Sequence, residues 1–383
     1  MKKPIQASAL RTQVATVLIA AGTAPEHAKI VADNLVMANL SGHDSHGVGL
    51  MPRYVDAVLV GGLMPHNGAK VLVDAGSLMS IDGQRGFGQV VGEQAMRLAI
   101  ARTQEIGSCI MTLANAHHLG RIGHFAEMAV AEGLVAIHFV NVMARQVVAP
   151  YGGADGRYGT NPCCIGIPLK GSADAAPSTD RGSGAAAHSG GSEPHALGSM
   201  KAPFILDFAT SRVAQGKMRV AHNQGKRVAA GLLMDEHGHP TTDPRVVVSP
   251  VVPGVFGSLI AFGEHKGYGL AVACELLGGA LTGGGTAHQP IDPLRRAVYN
   301  GMLTILIDPA RLGTQAAFEH DASAFVDWLR AGPVAPGFDA VRIAGEPERI
   351  TRAQREQTGI EIDTETWKEM VAAGVKVGVA LHG

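Results

Sequence analysis

The sequence predicts an α/β protein built on a mixed sheet, and three observations point there. Short β-like runs recur at 70–73, 78–82, 108–113, 134–140, 163–169 and 204–208; helical stretches at 93–104 and 125–132 separate only some of them; both ends of the chain carry helical apolar spacing. A purely parallel sheet needs a crossover between successive strands, so strands that follow one another without a helix make the sheet mixed. At 383 residues the chain exceeds the roughly 250–300 at which a single core stops growing, so two or three lobes and a sizeable core are expected.

Taken in order, Met1-Lys2-Lys3 followed by apolar residues at 14–21 imitates a secretory leader, but Gln6, Ser8, Arg11, Thr12 and Gln13 interrupt it, and no leader is expected. Thr23-Ala24-Pro25-Glu26 has the form of a capping box, opening a helix in which Val31, Leu35 and Ala38 recur at i, i+4 and i+7. Gly86-Phe87-Gly88 with Gly92 imitates a dinucleotide fingerprint between a strand and a helix. Its last interval is one residue too long, and Glu105 falls in a helical stretch instead of at a strand end, so a plain strand-to-helix turn is predicted. Segment 171–201, rich in Gly, Ser, Ala and Pro, buries too little apolar surface to offset its ordering entropy. It reads as a mobile surface insertion, with an active-site lid as the functional alternative. In the last third Leu270, Cys274, Leu277 and Leu281 keep helical spacing and 346–379 is charged and amphipathic, so helix is expected to dominate there.

Composition excludes several classes of partner. With 32 Lys+Arg against 33 Asp+Glu there is no basic footprint for nucleic acid, and no run approaches the roughly 20 apolar residues of a membrane span. Small molecules are the expected partners. Only 17% of residues are charged and 50 are glycine, which implies much buried surface, part of it at an oligomer interface. Cys109, Cys163, Cys164 and Cys274 show no CxxC spacing and read as reduced thiols of a cytoplasmic protein.

Four clusters carry chemistry. Ser41-Gly42-His43-Asp44-Ser45-His46-Gly47 packs two imidazoles, hydroxyls and a carboxylate between glycines at a helix end. Reduction of a ketone needs a proton for its oxygen, and an imidazole titrating near neutrality supplies one; His46 is the candidate, with Ser45 bonding the ring and Asp44 or a distant carboxylate setting its tautomer. A polar helix terminus explains the same residues without chemistry. His43 and His46 also have a zinc-like spacing, but no companion ligands stand out and no metal is expected. Asn115-Ala116-His117-His118-Leu119-Gly120-Arg121-Ile122-Gly123-His124 leaves a strand for a helix, where N–H groups and Arg121 suit a pyrophosphate; packed, satisfied histidines are the alternative. Gly159-Thr160-Asn161-Pro162 offers a hydroxyl and an amide to a small polar ligand, or is an ordinary Asn-Pro turn. Gly263-Glu264-His265-Lys266-Gly267 opens a helix at which Lys266 meets an anion or only solvent, and Asp207 ends an apolar strand, where a buried carboxylate needs a partner.

Together these segments resemble the malate/L-lactate dehydrogenase family that is distinct from the Rossmann-type lactate dehydrogenases, most closely its hydroxycarboxylate dehydrogenase B branch. The resemblance spans nearly the whole chain and includes Gly42-His43-Asp44-Ser45-His46-Gly47-Val48-Gly49, Asn115 with His118 and Gly120-Arg121-Ile122-Gly123, Gly159-Thr160-Asn161-Pro162, Leu206-Asp207-Phe208-Ala209-Thr210-Ser211, Pro240-Thr241-Thr242-Asp243-Pro244 and Glu264-His265-Lys266-Gly267-Tyr268.

The resemblance implies a homodimer that oxidises a 2-hydroxy acid, or reduces a 2-oxo acid, with NAD or NADP. It implies a largely antiparallel seven-stranded sheet that holds the cofactor (76–262, with the insertion), an N-terminal helical part (1–75) and a C-terminal helical part (263–383) packing back on it. It gives His46 the proton, supported by Ser45 and Asp207, with His118 the acid/base in some relatives and Thr160 on the substrate. Cofactor contacts carry over to His46, Gly120, Arg121, Ile122, Leu206, Asp207, Phe208, Ala209, Thr210, Lys266 and Gly267, and to Gly345, Glu346, Pro347 and Glu348. Where many relatives read Ser-His-Gly-x-x-Arg, this chain has Leu50, so another arginine must grip the carboxylate; Arg53 and Arg145 are the candidates. Leu50 fits the branch that accepts aromatic 2-oxo acids. Reduction of a cyclic imino acid is the enzymatic alternative, and a non-catalytic binding or scaffold protein the alternative of another class.

Overall fold

A computed structural model describes residues 4–170, 200–250, 252–289 and 292–382. Its strands are β1 (Lys70–Ala75), β2 (Leu78–Asp82), β3 (Ser108–His117), β4 (Val135–Met143), β5 (Val148–Ala149), β6 (Cys163–Lys170), β7 (Met200–Phe208), β8 (Leu233–Met234), β9 (Pro240–Thr241), β10 (Ser258–Ile260) and β11 (Tyr299–Ile307). Its helices are α1 (Ala7–Ala20), α2 (Pro25–Leu40), α3 (Met51–Leu59), α4 (Gly88–Ile106), α5 (Gly123–Ala131), α6 (Gln215–Asn223), α7 (Arg245–Val248), α8 (His265–Cys274), α9 (Gln315–Arg330), α10 (Glu346–Thr358) and α11 (Thr364–Lys376). The insertion expected at 171–201 lies outside the described residues, apart from Met200 and Lys201, which begin β7.

A seven-stranded sheet in the order β1-β2-β3-β11-β4-β6-β7 forms the body. Only β2 and β3 pair in parallel; all other neighbours are antiparallel, giving the mixed, largely antiparallel sheet expected of this chain. Strands β5, β10, β8 and β9 make a smaller sheet beside it. Helix α4 buries Val91 and Met96 on β3, and α5 buries Phe125 and Val130 on β6, β4 and β7, all within one core that includes Met111 and Leu113 of β3. A second core joins the two ends of the chain: Leu10 and Val14 of α1, Leu35 of α2, Met51 and Tyr54 of α3, and Trp367 and Met370 of α11. Of the leader-like residues at 14–21, Val14, Val17, Leu18 and Ala21 belong to this core while Thr16, Ile19 and Ala20 are exposed, the two faces of one amphipathic helix.

Two expectations need correction. The last third is not purely helical, because Tyr299–Ile307 is the central strand of the main sheet, flanked by β3 and β4. Most of β11 is interior, since it packs against both α4 and the π-helical turn Glu275–Ala280 that continues α8; buried on both faces, with Asn300 and Thr304 among the buried residues, it loses the alternation that marks a half-exposed strand. The capping box is also absent. Pro25 takes the first helical position, Ala24 stands at the cap, and the Thr23 N–H donates to the Leu18 carbonyl, so Thr23 belongs to the turn that closes α1. The glycines at 86, 88 and 92 do form a strand-to-helix turn: Gly88 opens α4, and a Cβ on Gly92 would lie 2.5 Å from the Phe125 ring.

Candidate active site

Where the shared helical core meets the large sheet, a cleft of about 980 Å³ opens. Its wall includes the loop after α2. That loop is two short 3-10 turns, Asp44–His46 and Val48–Leu50, and Asn39 pins both: its Oδ1 accepts the Val48 N–H at 2.8 Å and its Nδ2 donates to Asp44 at 2.7 Å. Arg355 of α10 takes both carboxylate oxygens of Asp44, at 2.7 and 3.1 Å. Asp44 is therefore spent on the scaffold and does not orient His46. The ring is held instead by Ser45, whose Oγ lies 3.0 Å from Nδ1.

His118, just past β3, stacks on His46 with ring centroids 5.7 Å apart and planes inclined by 19°. Burial drives the pKa of His46 down to about 4; Asp207 opposes the shift, while the charges of His43 and Arg121 add to it. His118 is pushed well below the ordinary histidine value by burial and by the charges of His46, His117 and Arg53. Both rings are neutral at neutral pH. Asp207, at the end of β7, accepts the Gly123 N–H at the start of α5 at 2.7 Å and lies 3.9 Å from Arg121 Nε. Arg121 is 4% exposed and forks onto Glu127 at 3.0 and 2.9 Å. Burial penalises the Glu127 carboxylate, but Arg121, with Arg352 at 3.1 Å and His124, outweighs it and holds the pKa at about 2.

Most residues singled out from the sequence line this one cleft: Ser45, His46, His118, Asp207, Thr160, Arg53 and Arg145, with Gly120, Arg121, Ile122, Phe208, Ala209, Pro347 and Glu348. Leu50 lines it too, giving an apolar wall where many relatives have arginine. Arg53 has no carboxylate partner among the described residues, and Arg145 donates to the Val247 carbonyl at 2.6 Å with its guanidinium 3.7 Å above the Phe256 ring. The packed cleft wall, and then Arg219, disfavour the charge on Arg53.

The others stand off the cleft. Asn161 is fully buried and its amide is committed to the Val142 N–H, the Ala271 carbonyl and Glu275, so it supports the Thr160 turn from behind. Thr210 donates to the carbonyls of Thr160 and Asn161, and Leu206 pairs with Ile165. Glu346 ties the start of α10 to Arg330 and the Ile343 N–H, beside Gly345 at φ +91°. Lys266 is exposed at the start of α8, and Gly267 packs on the Phe262 carbonyl.

Sequence reasoning missed three features. Tyr54 bonds His118 Nδ1 at 2.8 Å, Gln89 bonds Tyr54 at 2.8 Å, and Glu348 reaches His43 at 3.3 Å. The available signal was weak: Tyr54 and Gln89 are polar groups in helices with buried apolar faces, where burial obliges them to find partners, while Glu348 lies in a polar helix that marks no single residue. Glu348 lines the cleft, and its Oε2 is buried without a hydrogen-bond partner among the described residues.

Comparison with known proteins agrees with this architecture. The family model described as malate/L-lactate dehydrogenase matches residues 5–191 and 183–371. Hydroxycarboxylate dehydrogenase B of Escherichia coli K12 is 39% identical over 375 residues, covering 97% of this chain and 94% of that protein. A solved putative malate/lactate dehydrogenase from E. coli superposes with a TM-score of 0.85 at 38% identity, covering 99% and 96% of the two chains. A Δ1-piperideine-2-carboxylate reductase from Pseudomonas syringae stands further off, at TM-score 0.78 and 26% identity over 97% and 100%. Matches that run nearly end to end, in sequence and in fold alike, make this chain a member of the malate/L-lactate dehydrogenase family.

Proposed function

We propose that the cleft binds NADH or NADPH together with a small 2-oxo acid, or the oxidised cofactor with the 2-hydroxy acid, and interconverts the two acids. The observation that carries this reading is the meeting of an acid–base imidazole with a guanidinium that has no carboxylate partner, on the wall of one cleft. A dinucleotide suits the residues present: the cleft is at the upper end of ligand-site volumes, and the unpartnered Glu348 oxygen can accept a ribose hydroxyl. Gly120 to Ile122, Asp207 to Ala209, Pro347 and Glu348 would hold it, within the sheet part at 76–262 and the C-terminal part that packs on the N-terminal one. The bound nicotinamide supplies or accepts the hydride at the substrate carbon.

The chain's own groups do the rest. Arg53, with Arg145 and Thr160, orients the carboxylate and keeps the carbonyl beside His46, and orientation of this kind removes much of the entropic barrier. His46, neutral at neutral pH, takes the hydroxyl proton during oxidation and returns it during reduction, while Ser45 holds the ring through Nδ1. Leu50 makes room for an apolar substrate side chain. A homodimer fits the exposed edge strand β1, where Val71, Leu72 and Val73 all face solvent, and the four free, buried cysteines suit a reducing cytoplasm.

Cyclic imino acid reduction uses the same proton and hydride delivery, and the more distant P. syringae relative keeps it as the second reading. Nothing favours the scaffold reading, since the relatives are dehydrogenases or a reductase and the acid–base groups are assembled. The test is a panel of 2-oxo acids and cyclic imines with both reduced cofactors, run beside His46→Ala. The variant is expected to lose about 100- to 10,000-fold in turnover with little change in cofactor affinity. Equal turnover in variant and parent would remove His46 from the mechanism.

A further inference from the structure

Tyr54 and Gln89 take no part in the roles assigned above, yet both are sealed beside the reacting groups, at 1% and 0% exposure. The Tyr54 phenol oxygen lies 2.8 Å from His118 Nδ1 and 2.8 Å from Gln89 Nε2. A phenol has one proton to donate. Since the Gln89 amide donates to that oxygen, the phenol proton goes to His118 Nδ1, and a neutral imidazole that accepts at Nδ1 carries its hydrogen on Nε2. The opposite amide orientation would leave both buried N–H donors of Gln89 unpartnered, where now one of them is bonded and the carbonyl oxygen is the orphan, and orphaned donors are the rarer and costlier case.

Local structure enforces the arrangement. Gly88 stands where a Cβ would fall 2.3 Å from the carbonyl oxygens of both His117 and His118, so the first turn of α4 presses directly on the end of β3 and delivers Gln89 to Tyr54. The rings of Phe87 and His117 meet the phenol edge-on, at 5.9 and 5.5 Å, and restrict its rotation. Burial raises the Tyr54 pKa, so its proton stays on the oxygen at any working pH.

We propose that Tyr54, oriented by Gln89, is a positioning residue that locks His118 as the Nε2–H tautomer and so fixes a hydrogen-bond donor toward the reacting oxygen, beside the proton-transferring His46. The inference rests on the dehydrogenase reading above. A fixed donor at an oxygen that gains negative charge strengthens as the charge develops. The two histidines thereby divide the work: one polarises, the other carries the proton.

The experiment uses the full-length protein labelled with ¹⁵N in its histidines, with His118→Asn to assign the signals. Two-bond ¹H–¹⁵N correlations are expected to show Nδ1 of His118 unprotonated and Nε2 protonated in the parent, and exchange between both tautomers in Tyr54→Phe. In parallel, Tyr54→Phe is expected to lower kcat by about ten- to 100-fold with an unchanged KM for the cofactor, short of the roughly 100- to 1,000-fold that loss of a whole oxyanion donor costs. An Nδ1–H tautomer in the parent protein overturns the proposal, whatever the variant does; so does a folded Tyr54→Phe enzyme with parental kcat. If the parent reduces no 2-oxo acid or imine, the dehydrogenase reading fails instead, while the tautomer measurement still reads out the lock by itself.

Discussion

Asp207 accepts the Gly123 N–H at 2.7 Å, and this contact fastens the end of β7 to the first turn of α5 within electrostatic reach of His46. The carboxylate is the one contribution resolved on His46 that raises its pKa, against burial and the charges of His43 and Arg121. In Asp207→Asn the amide oxygen still accepts the Gly123 N–H but the charge is gone, so the fold is expected to persist while His46 becomes still less basic. NMR titration of the His46 ring would show it, and an unshifted or higher pKa in the variant contradicts the placement.

Oxidation of the hydroxy acid needs His46 as a neutral base. With a pKa near 4 in the free enzyme, the ring is already neutral through the physiological range. The acid limb of kcat/KM for oxidation is therefore expected near pH 4, with a plateau across pH 6–8. A limb close to pH 6.5, the ordinary histidine value, would show that the ring is not desolvated as described.

Acid should also destabilise the fold itself. His117 and His138 are fully buried and their pKa values are pushed by burial to about 3, as His46 is to about 4. Between roughly pH 6.5 and 4 the unfolded chain binds protons at these histidines and the folded chain does not, so stability falls as pH falls. Each histidine contributes up to about 1.4 kcal/mol per pH unit in that window. The urea midpoint is expected to drop between pH 7 and pH 5, and His138→Phe, which leaves one histidine fewer, should flatten the slope. An equal midpoint at both pH values would contradict the burial.

Gly47 has no room for a side chain. A Cβ there would lie 2.1 Å from Asn39 Oδ1, the atom that accepts the Val48 N–H. Gly47→Ala is expected to displace Asn39, cost about 1–3 kcal/mol through the lost buried hydrogen bonds, and lower turnover more than cofactor affinity because the Ser45–His46 turn shifts. Chemical denaturation alongside steady-state kinetics checks both.

Arg53 projects into the cleft without a carboxylate of its own among the described residues, as a substrate anchor should. Arg53→Ala is expected to raise KM for the 2-oxo acid by about 30- to 150-fold, the equivalent of losing roughly 2–3 kcal/mol of charge-assisted hydrogen bonding, and to leave cofactor KM unchanged. If Arg145→Ala has that effect and Arg53→Ala does not, the anchor is assigned to the other guanidinium.

Much of this was legible in the residues. The β2 run was read at its observed limits, β3, β4, β6 and β7 within a few residues or as part of longer strands, and the mixed sheet followed from strands that lack intervening helices. The turn at Ser45-His46 and the loop at Gly120-Arg121-Ile122 face one cleft, as their density of polar groups suggested. Strand β11 stayed hidden because its residues are buried almost continuously. Asn161 looked like a ligand group and Asp44 like the carboxylate orienting His46, because a side chain's chemistry is the same whether it serves the site or the scaffold.

By itself the sequence determined many of the strands and helices around the cleft and where polar groups gather, since periodicity and glycine placement are local properties of the chain. Only the tertiary structure decided that β11 runs through the middle of the sheet, that Arg355 takes Asp44 out of the chemistry, and that Tyr54 and Gln89 stand behind His118. Those contacts join residues far apart in the chain, and which buried polar group satisfies which is settled by packing, because each must find a partner among whatever the fold brings near it.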